Sequence, residues 1–161
     1  MQGKALATDG VKLQYCCEAT AGTRPLTGYS DVSEDLKSTP DLNPTPETRE
    51  TTTFADAATG WKAYIDGLRD PGGALAFNFN NTEAFHTAWN AMKAAVDAAA
   101  SGETPKATWF CIIIPGLSKA FYFAGTPAEL GIAAMEVNGV AEINGYITPN
   151  KIAGWAAKPT A

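Results

Sequence analysis

The sequence predicts an α+β fold, mainly β. Two packed antiparallel sheets, as a sandwich or partly open barrel, carry one flanking helix at about 82–100 and a long loop at about 18–46. Three observations predict it. Alternation at period two is clean at Val11, Leu13, Tyr15 and Cys17 against Lys12, Gln14 and Cys16. Phe85, Trp89, Met92, Val96 and Ala99 recur at helical spacing and form one apolar stripe; a lone amphipathic helix needs a sheet to cover. Glu18–Pro46 is rich in Thr, Ser, Gly, Pro, Asp and Asn, with Leu26, Tyr29, Val32, Leu36 and Leu42 scattered without a period.

After the first strand at Val11–Cys17 and the long loop, Glu47–Phe54 brings Thr48, Thr51, Thr52 and Thr53, whose β-branched members favour extended backbone. Trp61, Ala63 and Ile65 alternate with Lys62 and Tyr64, and Leu75, Phe77 and Phe79 alternate with Ala74, Ala76 and Asn78. Asp70-Pro71-Gly72-Gly73 between them is strong turn chemistry, so the two runs read as a hairpin. Asn80 followed by Glu83 resembles a capping box for the helix, and Gly102 suits its end. Ala107–Ile114 is apolar on both faces, as in a buried strand. A turn at Pro115–Ser118 leads to a strand over Lys119–Gly125. The last strand falls at Val137–Ile147, with Gly139 and Gly145 as bulge positions, and 148–161 reads as a C-terminal tail. Residues 1–161 form one domain, with 18–46 as an extended loop or arm.

Composition narrows the classes of function. Hydrophobic residues make up 45% of 161, enough for a core, while charged residues reach only 18%, as suits a surface hidden against partners. The net charge of −5 disfavours a grip on nucleic-acid phosphates. Trp109–Ile114 is far too short an apolar run to cross a membrane. Met1–Gly10 has no secretory apolar core, so production in a cytoplasm is expected and the Asn80-Asn81-Thr82 sequon is coincidence. Cys16, Cys17 and Cys111 read as reduced thiols, not a disulfide framework.

No phosphate loop, dinucleotide fingerprint, nucleophile elbow or zinc pattern occurs. His86, the single histidine, lacks a patterned nucleophile or acid beside it and reads as a polar residue flanking the helix stripe. Cys111 has apolar neighbours and no cation to stabilise a thiolate. Glu50, Asp56, Asp66 and Asp70 read as solvated carboxylates. Among the tryptophans, Trp89 and Trp109 fall on core patterns, leaving Trp61 and Trp155 as stacking candidates. The expectation is therefore no catalytic residue, no cofactor and no metal.

The middle of the chain carries a family signal. Thr45-Pro46-Glu47-Thr48, then Thr51-Thr52-Thr53, then Tyr64, Ile65, Gly67, Leu68, Asp70 and Gly72, followed by Leu75, Phe77, Phe79 and Asn80, resemble in order the major tail (tail tube) protein of long-tailed bacteriophages. The likeness covers roughly Leu36–Ile147, with Asn43-Pro44 standing where many members have a glycine turn. It implies two orthogonally packed sheets with a flanking helix, hexameric rings, and rings stacked into a hollow tail tube through which DNA passes without specific binding. It implies partners too: other copies of the chain, the tape measure protein and tail-end proteins, with no membrane. The location implied is the virion tail, after synthesis in the host bacterial cytoplasm. Thr51, Thr52, Tyr64, Ile65, Gly67, Leu68, Asp70, Gly72, Phe77 and Phe79 become candidates for assembly, beside the helix core stripe of Phe85, Trp89, Met92 and Val96. An acidic lumen is expected from the net charge, and 18–46 is expected to order on a neighbour. Two alternatives stand: the tube protein of a contractile injection or type VI secretion system, which shares the fold, and a carbohydrate-binding or adhesion β-domain using Trp61 or Trp155.

Overall fold

A computed structural model describes residues 5–43, 45–70 and 72–160. The elements are β1 (Lys12–Cys17), β2 (Ser30–Asp31), β3 (Leu36–Ser38), β4 (Thr45–Glu50), α1 (Phe54–Thr59), β5 (Tyr64–Asp70), β6 (Leu75–Asn80), α2 (Glu83–Ala100), β7 (Thr108–Ile113), β8 (Lys119–Pro127) and β9 (Glu142–Ala157). The expected class, α+β and mainly β, holds. A seven-stranded sheet of order β2-β1-β7-β8-β9-β6-β3 lies in one unit, and a two-stranded sheet β4-β5 lies in another comprising Leu42–Gly72.

In the larger unit β9 organises the sheet. Its first half pairs with β6 over Glu142–Ile147 and its second half with β8 over Ile147–Ala157, all antiparallel. Two register shifts mark the change of partner. One inserts Ala153 between Ile152, which pairs with Phe123, and Gly154 (φ 80°), which pairs with Tyr122; the other falls at Gly125 opposite Pro149. Extra residues of this kind bend a strand and let one strand serve two sheet segments. Proline is tolerated there because a shifted register has no ladder bond for its missing N–H.

The core follows from strand parity. Leu13, Phe110 and Phe123 lie on one face of β1, β7 and β8, with the two phenylalanine rings stacked at 5.4 Å. Phe77, Phe79, Ile143 and Ile147 are buried on β6 and β9, and the α2 stripe Phe85, Trp89, Met92 and Val96 is buried as its spacing requires. Phe79 stacks on Phe85 at 4.4 Å, and the Trp89 indole donates to the Ala128 carbonyl at 2.9 Å. Gly145, expected at a bulge, instead pairs in regular register with Phe77. Its role is space: a Cβ there would stand 2.6 Å from the Trp89 ring. The α2 N-cap is Thr82, whose hydroxyl accepts from the Phe85 amide, in place of Asn80, and the helix ends at Ser101 in right-handed backbone before Gly102.

The other face of β7 and β8 is also apolar, with Trp109, Cys111, Ala120, Tyr122 and Ala124 clustered against Tyr29. This accounts for the continuous apolar reading of β7. The cover comes from the first part of the expected 18–46 loop. Glu18 is buried, accepting from the Trp109 indole at 2.9 Å and the Gly22 amide at 2.7 Å. The Arg24 guanidinium lies 4.1 Å from the centre of the Tyr122 ring, and Tyr29 meets that ring edge-on. So Glu18–Tyr29 is fastened to the sheet, and β2 and β3 extend the sheet at its two ends. The expected 148–161 tail is likewise corrected. β9 runs on to Ala157, and the Thr160 amide then donates to the Leu26 carbonyl.

In the smaller unit β4 and β5 pair antiparallel around α1. A reciprocal Thr53–Asp56 capping box starts α1, and Gly60 in left-handed backbone (φ 82°) ends it. The expected hairpin between 61–65 and 75–79 does not form, because β5 pairs with β4 while β6 pairs with β9 and β3. Pro71 of the expected turn lies outside the described residues. Gly72 takes φ 91°, which only glycine adopts without strain.

Candidate assembly surfaces

Leu42–Gly72 presents an unusual surface. None of its described residues is buried. Phe54 is 98% exposed, Leu68 79% and Trp61 78%, with Tyr64 and Ile65 also exposed. Two strands without a covered face are marginal at best in water, and apolar side chains at such density mark a contact surface. Thr51 and Thr52 have a definite task in shaping it. The Thr51 amide donates to the Ala63 carbonyl at 2.8 Å, and the Thr52 hydroxyl accepts from the Ala63 amide at 3.0 Å, closing the end of the β4–β5 ladder. The side chains of Asp66, Gly67 and Asp70 lie outside the described residues. Phe77 and Phe79, from the same stretch of signature residues, are buried in the larger unit. The signature therefore divides between one exposed hairpin and one core strand.

A second surface is the margin of β9. Past Ile147 the strand has β8 on one side and, among the described residues, no strand on the other. Lys151, Ala153, Trp155 and Ala157 are exposed there, and Trp155 meets Phe121 edge-on at 5.5 Å. The connection before β9 adds exposed Ile132, Met135, Val137 and Val140. Val137 and Val140 fall in the expected last strand, which instead begins at Glu142, and Phe54, at the close of the expected threonine-rich strand, instead opens α1. Ile132 and Met135 lie in a Gly- and Ala-rich stretch without a period.

The residues weighed for chemistry are dispersed. His86 Nε2 sits 2.6 Å from Asn81 Oδ1 at the start of α2. Cys111 is fully buried, and burial pushes its thiol up to about 11, so thiolate is scarce at neutral pH. Tyr122 is pushed up to about 12 by burial and then by the neighbouring Cys111. Asp56 serves the α1 cap, and Glu50 accepts from the Thr52 hydroxyl. Trp89 and Trp109 are buried, as their patterns predict. A cavity of about 530 Å³ has Asp9 and Lys37 as its charged lining, and Lys37 is engaged by Glu142 across the sheet. Among the described residues no cluster of His, Cys, Asp and Glu fits a metal ion, and no helix is long and apolar enough to cross a membrane.

No protein-family model matches the chain, and no curated protein matches it. Its fold is similar to that of a chain in the cryo-EM structure of the anti-feeding prophage baseplate, six-fold symmetrised. The TM-score is 0.64 at 8% identity, over 98% of each chain.

Proposed function

We propose that the chain is a non-catalytic structural subunit of a phage-like particle, packing on copies of itself in stacked hexameric rings to form a tail tube. The observation that carries this reading is the 42–72 hairpin. A folded element with no buried residue among those described, exposing Phe54, Trp61 and Leu68, gains its stability from a neighbour. The end-to-end fold likeness to a chain of a six-fold symmetrised prophage baseplate supports it. So does the tail-tube signature, whose exposed members Tyr64, Ile65 and Leu68 lie on that hairpin. On this reading the arm that meets the neighbour is 42–72, while Glu18–Tyr29, the first part of the expected 18–46 arm, packs on its own sheet. The net charge of −5 suits a lumen that DNA traverses without sticking.

Because the neighbour is a baseplate chain, a second reading within the same class is favoured by a specific finding: a ring at the baseplate end in place of the repeating tube. Negative-stain electron microscopy of concentrated protein tests both. Long tubes are the expected result, and isolated rings favour the second reading. A protein that stays monomeric at every concentration refutes self-assembly, and glycan binding by that monomer through Trp61 or Trp155 would then take its place.

A further inference from the structure

The chain contains two Asn-Gly dipeptides, Asn138-Gly139 and Asn144-Gly145, each preceded by a β-branched residue, Val137 and Ile143. Asparagine is chemically labile. Its loss of ammonia requires the backbone nitrogen of the next residue to reach the side-chain carbon. Glycine obstructs that approach least, having no Cβ and the widest choice of backbone angles. By local sequence the two sites are alike, so a difference in reactivity between them has to come from the fold.

The fold treats them differently. Asn144 lies inside β9 opposite Asn78, and its Oδ1 accepts from Asn78 Nδ2 at 3.0 Å. Gly145 pairs with Phe77 against the Trp89 ring, where even a Cβ has no room. Bringing the Gly145 nitrogen onto the Asn144 side chain would break that amide bond and distort a paired strand, an opening on the scale of the whole sheet. Asn138 sits in the exposed connection before β9, beside Val137 at 92% exposure. Among the described residues it is the one non-glycine with positive φ (66°), and its side chain makes no hydrogen bond. It is the third residue of a turn closed by the Gly139 amide, which donates to the Glu136 carbonyl at 3.2 Å. One solvent-exposed backbone bond is all that holds the Gly139 nitrogen away, and such bonds open locally at little cost.

We propose that Asn138-Gly139 is a site of spontaneous deamidation in the folded chain, and that β9 protects Asn144-Gly145 from the same reaction. The Gly139 nitrogen attacks Asn138 Cγ and gives up its proton to solvent, the Cγ–Nδ2 bond breaks, and Nδ2 takes a proton and leaves as ammonia. The cyclic imide then takes up one water, which opens it at either carbonyl to aspartate or isoaspartate. The net change is one water consumed and one ammonia released. Either product adds one negative charge to the net −5, and sets a third carboxylate beside Glu129 and Glu136 in Ala128–Ala141. Isoaspartate also lengthens the backbone by one methylene within the stretch that exposes Ile132, Met135, Val137 and Val140. That surface changes its charge with the age of the chain, independently of what packs on it.

Mass spectrometry of the full wild-type chain, aged at dilute concentration in mildly alkaline buffer, tests this without a variant. Cleavage after Glu136 and Glu142 separates the two sites onto peptides 137–142 and 143–161. Exchange of NH2 for OH adds about 1 Da, and fragmentation assigns the gain to its residue and tells aspartate from isoaspartate. In the folded chain the gain at Asn138 should be at least ~10-fold faster than at Asn144, with both products present. In concentrated urea, where turn and strand are both lost, the two rates should agree within about threefold. No gain at Asn138 in the folded chain, or equal rates at the two sites there, overturns the proposal. So does a tenfold preference that persists in urea, because the selectivity would then lie in the sequence and not in the fold.

Discussion

The exposed hairpin yields a quantitative expectation. Replacing Phe54, Trp61 and Leu68 together by serine removes apolar surface that contributes nothing to the isolated chain, because these residues are 98%, 78% and 79% exposed. Full burial of such a side chain is worth ~1.5–3 kcal/mol. Scaled by those exposures, the three offer a neighbour about 4–8 kcal/mol as an upper bound. Interfaces bury such residues unevenly, so half the lower figure, about 2 kcal/mol, is a conservative loss. That loss alone raises the assembly concentration about 30-fold. The stability of the monomer should change by less than ~0.5 kcal/mol, as for surface substitutions generally. Sedimentation velocity across a concentration series reads the first quantity, and urea unfolding of dilute protein reads the second. Unchanged assembly refutes the role of the hairpin. A large drop in monomer stability refutes the claim that its apolar residues are unpartnered.

Two further outcomes concern the larger unit. Gly145→Ala places a methyl 2.6 Å from two atoms of the Trp89 ring and 3.1 Å from Phe79, so about 1–3 kcal/mol of stability should be lost in urea unfolding; a neutral result means the ring is not seated there. Alkaline pH should weaken the fold. The Cys111 thiol is raised from 9.0 to about 11, so the unfolded chain loses its proton first, and the contribution is complete below about pH 9 and lost as pH rises through about 11. Cys111→Ala should flatten the fall in urea midpoint over that window, leaving a later fall from Tyr122, raised from 10.0 to about 12; an unaltered profile contradicts the assignment.

Much of the fold is legible in the sequence wherever burial is one-sided or complete. The α2 stripe is buried at Phe85, Trp89, Met92 and Val96 because helical spacing places all four on one face. β7 is apolar from Trp109 to Ile113 because both its faces are covered. Pairing was less legible. The Asp70–Gly73 turn chemistry favours a local hairpin, yet β5 returns to β4 across α1, and no local signal distinguishes the two partners. Thr148-Pro149 resembles the end of a strand, and only the shifted register at Gly125 shows why β9 continues past it. The cover formed by Glu18–Tyr29 depends on a buried carboxylate meeting an indole far along the chain, a contact that a polar, unpatterned segment does not announce. The assembly surfaces were half legible. The signature pointed to Tyr64, Ile65 and Leu68, whereas exposed Phe54 emerges only from the fold.

Cryo-electron microscopy of the assembled particle decides whether the hairpin is a contact. Residues 42–72 should be seated on another copy, with Trp61 and Leu68 removed from solvent. Rings or tubes in which that hairpin stays bare to solvent, touching no second subunit, would contradict it.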